Sequence, residues 1–137
     1  MRITLALALA SLSLLAAPSK PAKPWPAPAS WKERAPPFEV TEARVKAGEA
    51  TYRELCVGCH GPTGNGNGPV AKMLSVAPGD LTRPRADTVG EIYWKITTGR
   101  FPMPSYEDRL KEAERWQVAL YTLSLARPAA ETGGPGP

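Results

Sequence analysis

Cys56, Cys59 and His60 lie within one short segment, Cys-Val-Gly-Cys-His. In this pattern the two thiols add across the vinyl groups of a haem and form thioethers, while the His coordinates the iron. The spacing is demanding, because two residues between the cysteines match the vinyl separation and the adjacent His falls beneath the ring. His60 is the only His in the chain. The segment therefore predicts one covalently attached haem c, with His60 as an axial ligand of the iron.

Three other uses of two cysteines and a His compete with haem attachment. A thioredoxin-like redox pair follows a strand and opens a helix, whereas this motif closes a predicted helix. A structural zinc site needs four ligands, and the sequence has no further Cys or His. A disulfide suits an exported protein but leaves His60 without a role. Haem attachment explains all three residues.

A second axial ligand is expected from a methionine, either Met73 or Met103. Met73 lies in a short helical stretch that is typical of ordinary core. Met103 lies between two prolines, which restrict its loop, and a rigid loop can hold a weak ligand without a large loss of entropy. The sequence therefore predicts Met103 as the ligand. An iron with both axial positions filled passes electrons but offers no site for a substrate.

Helical periodicity marks three segments that must position these ligands, at residues 42–56, 89–98 and 110–126. A minor helical turn is expected over 70–74. Gly48 lies on the buried face of the first segment, where glycine weakens a helix, so another helix is expected to approach it closely. No segment shows strand alternation, and the predicted fold class is all-α.

The N-terminus resembles a targeting segment. Met1-Arg2 is followed by an apolar run over residues 3–17, which is short for a membrane span and typical of a secretory signal. Ala17 and Ser19 suit the −3 and −1 positions of a cleavage site, which predicts a signal peptide over 1–19. The alternative is an uncleaved short anchor. The mature protein is expected to be periplasmic or otherwise exported, with no membrane span.

Proline divides the rest of the chain. Residues 20–37 are predicted to form an extended, Pro-rich linker arm without a helix, with Trp25 or Trp31 folded back onto the domain. Residues 128–137 are predicted to be a disordered tail. The remaining domain, residues 38–127, is so small that something besides its own side chains is expected to fill its core.

This domain resembles the class I cytochromes c, the small mono-haem electron carriers of bacteria. The resemblance implies a helical domain wrapped around a covalently attached haem, with His60 and Met103 on the iron. It also implies that the Pro78 carbonyl accepts the second ring proton of His60. Arg83, Arg85 and Trp94 are further candidates for contact with the haem propionates. The segments that carry the resemblance are residues 56–61, 64–69, 77–82, 96–99, 103–106 and 116–121.

The leading hypothesis for function is the transfer of single electrons between exported redox partners, without enzymatic activity and without a catalytic residue. Two alternatives stay open: an electron-transfer subunit of a larger dehydrogenase or oxidase, and a haem-based gas sensor. The net charge of +4 is spread along the chain, which argues against nucleic acid as a partner. Acidic docking patches on the partners are expected instead, facing Arg53, Lys72, Lys95 and Arg100.

Overall fold

A computed structural model describes residues 23–84 and 86–126 of the protein. The predicted signal peptide, Arg85 and the predicted tail lie outside the described residues. Within them no strand forms, and the prediction of an all-α fold is confirmed. The four α-helices and two 3-10 turns are, in chain order, a turn at Ala29–Trp31, α1 at Glu42–Leu55, α2 at Val57–His60, a turn at Ala71–Met73, α3 at Val89–Thr98 and α4 at Glu112–Ser124.

Local signals set the ends of α1 and α3. The Thr41 side chain caps α1 by accepting a hydrogen bond from a first-turn N–H, and the helix ends at Leu55. α3 begins with a capping box, in which the Thr88 and Glu91 side chains each accept a hydrogen bond from the other residue's backbone N–H. The helix ends at Thr98, and the next residue, Gly99, has a φ of 63° that residues other than glycine rarely adopt. Both helices end within one residue of the predicted bounds.

α1 and α4 cross at Gly48. A Cβ added to this buried glycine would overlap the carbonyl oxygen of Gln117 and lie 2.9 Å from the amide nitrogen of Val118. The two helix backbones therefore meet without a side chain between them. Beside the crossing, Tyr52 of α1 packs against Tyr121 of α4, with ring centroids 5.2 Å apart. The predicted close approach at Gly48 is confirmed.

Three stacked aromatic rings connect α3 with α4 and with the 3-10 turn at Ala29–Trp31. Tyr93 of α3 stacks on Trp116 of α4 at 4.0 Å between ring centroids, and Trp31 also stacks on Tyr93, at 5.5 Å. α4 itself begins and ends two residues inside the predicted range. The core that these elements enclose consists of Tyr52, Ile92, Tyr93, Ile96, Tyr106, Trp116, Val118 and Ala119.

The Pro-rich segment packs against α3. Trp31 and Trp25 both fold back, the latter onto Trp94 with ring centroids 5.8 Å apart. Gly90 of α3 makes room for the segment, because a Cβ there would come within 2.6 Å of the Arg34 carbonyl oxygen. The expectation that this segment has no helix was wrong at Ala29–Trp31, where the residues between prolines keep their N–H groups and close a 3-10 turn.

Candidate haem-binding site

A cavity of about 380 Å³ opens between the end of α1, α2, α3 and the loops around residues 74–81 and 100–104. This volume lies within the range of about 300–1,000 Å³ that is usual for cofactor sites. Cys56, Cys59, His60 and Met103 all line the cavity. The structure thus brings together the four residues that the sequence predicted to hold a haem. Apolar side chains make up much of the remaining lining, among them Leu55, Leu74, Val76, Leu81, Ile92, Ile96 and Phe101.

Cys56 lies at the junction of α1 and α2, and Cys59 lies within α2. Cys56 continues the hydrogen bonding of α1 through its N–H to the Tyr52 carbonyl at 2.9 Å, and its own carbonyl accepts from the His60 N–H at 2.9 Å. Both thiols are free in the structure, without a disulfide between them. Burial, with a smaller contribution from neighbouring Cys59, raises the pKa of the Cys56 thiol to about 12. Both cysteines line the apolar cavity.

The ring of His60 is oriented by a backbone carbonyl. Its Nδ1 lies 3.2 Å from the Gly79 oxygen, a distance at which Nδ1–H donates to the carbonyl. An imidazole that donates from Nδ1 keeps its lone pair on Nε2, the nitrogen left for a metal. The carbonyl seen at this distance belongs to the residue after the predicted Pro78. Pro78 itself lines the cavity, and its role as acceptor stays a prediction.

The Gly-rich loop over residues 61–70, which follows the haem-binding motif, is hydrogen-bonded to that motif. Backbone N–H groups of this loop donate to three carbonyls of the motif, Gly66 to His60 at 2.8 Å, Gly68 to Cys59 at 3.1 Å and Val70 to Gly58 at 3.0 Å. Gly66 has φ 79°, and a Cβ there would lie 2.8 Å from the Pro78 oxygen. The glycines are evident in the sequence. Their contacts with both the motif and the loop around Pro78 and Gly79 are seen only in the structure.

Met103 and Met73 occupy different environments. Met103 is half-buried at the cavity, in a loop closed by two hydrogen bonds with Arg100. Met73 is 81% exposed, so its interpretation as ordinary core was wrong. Its 3-10 turn instead buries Ala71, two residues earlier, which leaves Met73 directed to solvent.

The positively charged residues that line the cavity are not the ones that the sequence suggested as partners of the haem propionates. Arg83 is exposed and pairs with Asp80 at 3.1 Å, while Arg85 lies outside the described residues. Trp94 packs on Trp25. Among the residues that the structure describes, the cations lining the cavity are Lys23, Lys95 and Arg100. Lys23 comes from the Pro-rich segment, and no local pattern in the sequence signalled its position.

The residues fit a haem better than a bare metal ion. In the part of the chain that the structure describes, no group of three His, Cys, Asp or Glu side chains could hold a metal. The cavity instead presents two thiols, an imidazole and a thioether within apolar walls. This is the donor set that a covalently attached haem requires. Among the described helices, none is long and apolar enough to cross a membrane.

Comparison with known proteins gives the same class. Residues 43–121 match the family described as "Cytochrome C oxidase, cbb3-type, subunit III". Cytochrome c6 of Leptolyngbya boryana is 31% identical over 84 residues, which cover 61% of this chain and 95% of that protein. Quinohemoprotein alcohol dehydrogenase ADH IIB of Pseudomonas putida is 32% identical over 115 residues, 82% of this chain but 16% of the dehydrogenase.

A solved structure agrees with the fold. A chain of the reducing HAO-like protein complex of Kuenenia stuttgartiensis superposes with a TM-score of 0.61 at 33% identity, over 66% of this chain and 47% of that one. Together these findings define a class I c-type cytochrome, a mono-haem electron-transfer protein with covalently bound haem c. The chain belongs to the cytochrome c family whose description is cbb3-type subunit III. The resemblance drawn from the sequence is confirmed.

Proposed function

We propose that this protein is an exported one-electron carrier in which His60 and Met103 are the axial ligands of a haem attached through Cys56 and Cys59. One observation carries the proposal: these four residues line a single apolar cavity, while Met73 is 81% exposed. We further propose that residues 1–19 are a cleaved signal peptide and that residues 38–127 form the haem-binding domain, after a Pro-rich arm and before a short tail.

The bound haem would supply the one-electron iron couple. The chain supplies the environment of that couple. The Gly79 carbonyl contacts the Nδ1 of His60, so Nε2 would be the nitrogen that coordinates the iron. The apolar walls would keep water from the haem ring, and a thioether ligand from Met103 would favour the reduced iron and raise the reduction potential. Because both axial positions would be filled, we propose a carrier and not an enzyme.

Methionine ligation is tested by a matched pair of variants. Sulfur on ferric haem gives a weak charge-transfer band in the far red. Met103→Ala should abolish this band, lower the reduction potential and let carbon monoxide bind the ferrous protein, whereas Met73→Ala should leave all three unchanged. If the band were lost in Met73→Ala instead, the ligand would be reassigned. If the unmutated ferrous protein bound carbon monoxide readily, the gas-sensor alternative would take precedence.

Covalent attachment has its own test. Haem should stay with the polypeptide through a denaturing gel and stain there for peroxidase activity. Cys56→Ser combined with Cys59→Ser should remove the stain from the band, because no thioether can then form. A double variant that kept its stained haem would overturn the assignment of both cysteines.

The second candidate function is an electron-transfer subunit of a larger enzyme. It is favoured by the similarity to a segment of a quinohemoprotein alcohol dehydrogenase and by the oxidase subunit in the family's description. A free carrier should elute from native cells at the size of one chain. Co-elution with a dehydrogenase or oxidase, at the size of a complex, would favour the subunit.

We propose that the redox partners dock through acidic patches, with modest steering. Of the four predicted cations, Arg53 pairs with Glu49 and Lys95 with Asp87, each at 2.7 Å, and Arg100 donates to backbone carbonyls. Lys72 is exposed. Because cations that are paired within the chain attract a partner less, the electron-transfer rate should fall only gently as ionic strength rises. A flat rate would remove the case for acidic docking.

A further inference from the structure

The side chain of Arg100 contacts residues 23–25 of the Pro-rich arm, the segment that precedes the haem-binding domain. The Arg100 guanidinium donates to two consecutive carbonyls of the arm, Nη1 to Pro24 at 3.1 Å and Nη2 to Lys23 at 2.9 Å. The same guanidinium lies over the ring of Trp25, 4.7 Å from the centroid. One charged, planar group therefore makes three contacts with three successive residues of the arm. A lysine could not reproduce this fork.

Arg100 is also one end of the loop that presents Met103. The Arg100 N–H donates to the Met103 carbonyl at 3.0 Å, and the Met103 N–H donates back to the Arg100 carbonyl at 2.9 Å. The two residues are thus fixed to each other by a pair of backbone hydrogen bonds. Lys23 and Trp25 of the arm line the same cavity as Arg100 and Met103. The arm and the methionine loop meet at the wall of the haem cavity.

The arm has independent anchors on α3. The ring of Trp25 packs on Trp94 at 5.8 Å, and further along, Trp31 stacks on Tyr93 at 5.5 Å. These contacts fix the arm on α3. The Met103 loop, which is bonded to the arm through Arg100, is therefore also anchored to α3. Arg100 makes such a connection between the arm and the Met103 loop.

We propose that Arg100, clamped by Trp25 and the arm carbonyls, is a positioning residue that keeps the Met103 loop closed over the iron. The inference rests on the proposed ligation by Met103. A thioether is a weak ligand, so its retention depends on how readily the loop opens. An external ligand binds only the open form, and its apparent affinity rises in proportion to the open fraction. Releasing the clamp should therefore raise the affinity for an external ligand.

Imidazole binding to the full-length ferric holoprotein tests the clamp, with loss of the far-red band as the signal. Arg100→Lys keeps the charge but loses the fork, and Trp25→Ala removes the ring beneath it. Each should raise the apparent affinity for imidazole about tenfold, which corresponds to about 1.4 kcal/mol. The matched control is Arg34→Lys, another arginine of the arm, which lies over Trp31 at 4.2 Å. This control should keep the parent affinity.

The outcomes separate the clamp from the ligand assignment. If the parent shows the far-red band and both clamp variants bind imidazole as the parent does, the clamp is refuted while Met103 ligation stands. If Arg34→Lys raises the affinity as much as Arg100→Lys, the effect is general loosening of the arm, and the clamp is again refuted. A parent without the band overturns the ligation and the inference with it. Arg100→Lys decides the question alone should Trp25→Ala not fold.

Discussion

Replacing Gly48 with alanine tests the crossing of α1 and α4, the contact that frames the haem cavity. A Cβ at this position would overlap the Gln117 carbonyl oxygen and lie 2.9 Å from the Val118 amide nitrogen. Both are backbone atoms inside a helix, so neither can rotate away as a flexible side chain would. The helices must therefore move apart to admit the methyl group.

The expected loss of stability follows from two opposing effects. Overpacking costs about 1–3 kcal/mol, and the upper end applies here because only a shift of a whole helix makes room. Alanine in place of glycine returns about 1 kcal/mol of helix propensity. The net loss is about 2 kcal/mol, which lowers the Tm of a domain of about 100 residues by roughly 8–16 °C.

Thermal unfolding of the ferric holoproteins, followed by far-ultraviolet circular dichroism, measures this loss. Gly58→Ala is the matched control, because a Cβ on this helical glycine would lie 4.0 Å from a methyl of Val70, an ordinary van der Waals distance. Its Tm should equal or exceed that of the parent. A Gly48→Ala protein with the parent Tm would refute the reasoning, since the crossing would then have room for a side chain.

Three further outcomes are expected. Tyr52→Phe should lower the free energy of urea unfolding by about 1–2 kcal/mol, because it removes the buried 2.8 Å hydrogen bond to the Gly61 carbonyl. Met73→Ala should change that free energy by less than about 0.5 kcal/mol, because the side chain is 81% exposed. The Thr82 hydroxyl holds the pKa of Asp80 below its usual 3.8. The stability from ionised Asp80 is therefore complete above about pH 3.8 and is lost as pH falls through the lowered pKa, so Asp80→Asn should flatten acid unfolding in that range.

The sequence predicted most of what depends on neighbouring residues. The spacing of Cys56, Cys59 and His60 identified the haem motif, because that chemistry lies within five consecutive positions. Helix bounds followed from capping residues and periodicity, which are also local. Gly48 was informative because glycine weakens a helix, and on a buried face it is tolerated chiefly where a second backbone comes close.

The sequence could not predict contacts between distant segments. The contact seen for the His60 Nδ1 is with the Gly79 carbonyl, one residue beyond the predicted Pro78, and only the path of the loop decides such a difference. Lys23 reaches the cavity through a fold of the arm, to which hydrophobic periodicity gives no clue. Met73 has an apolar side chain and is still exposed to solvent, because Ala71 is the residue of its 3-10 turn that is buried.

The Gly-rich loop behind the motif has a practical consequence for protein engineering. Its N–H groups hold the motif, and Gly64 and Gly66 are buried or half-buried with positive φ, so neither tolerates a side chain. The positions beside them, Thr63, Asn65 and Asn67, are exposed. Positions that require glycine thus alternate with exposed positions along one short loop. A cysteine introduced at Thr63, three residues after His60 in the sequence, would be an exposed attachment point for a dye or an electrode, and it would remove none of the backbone hydrogen bonds that shape the site.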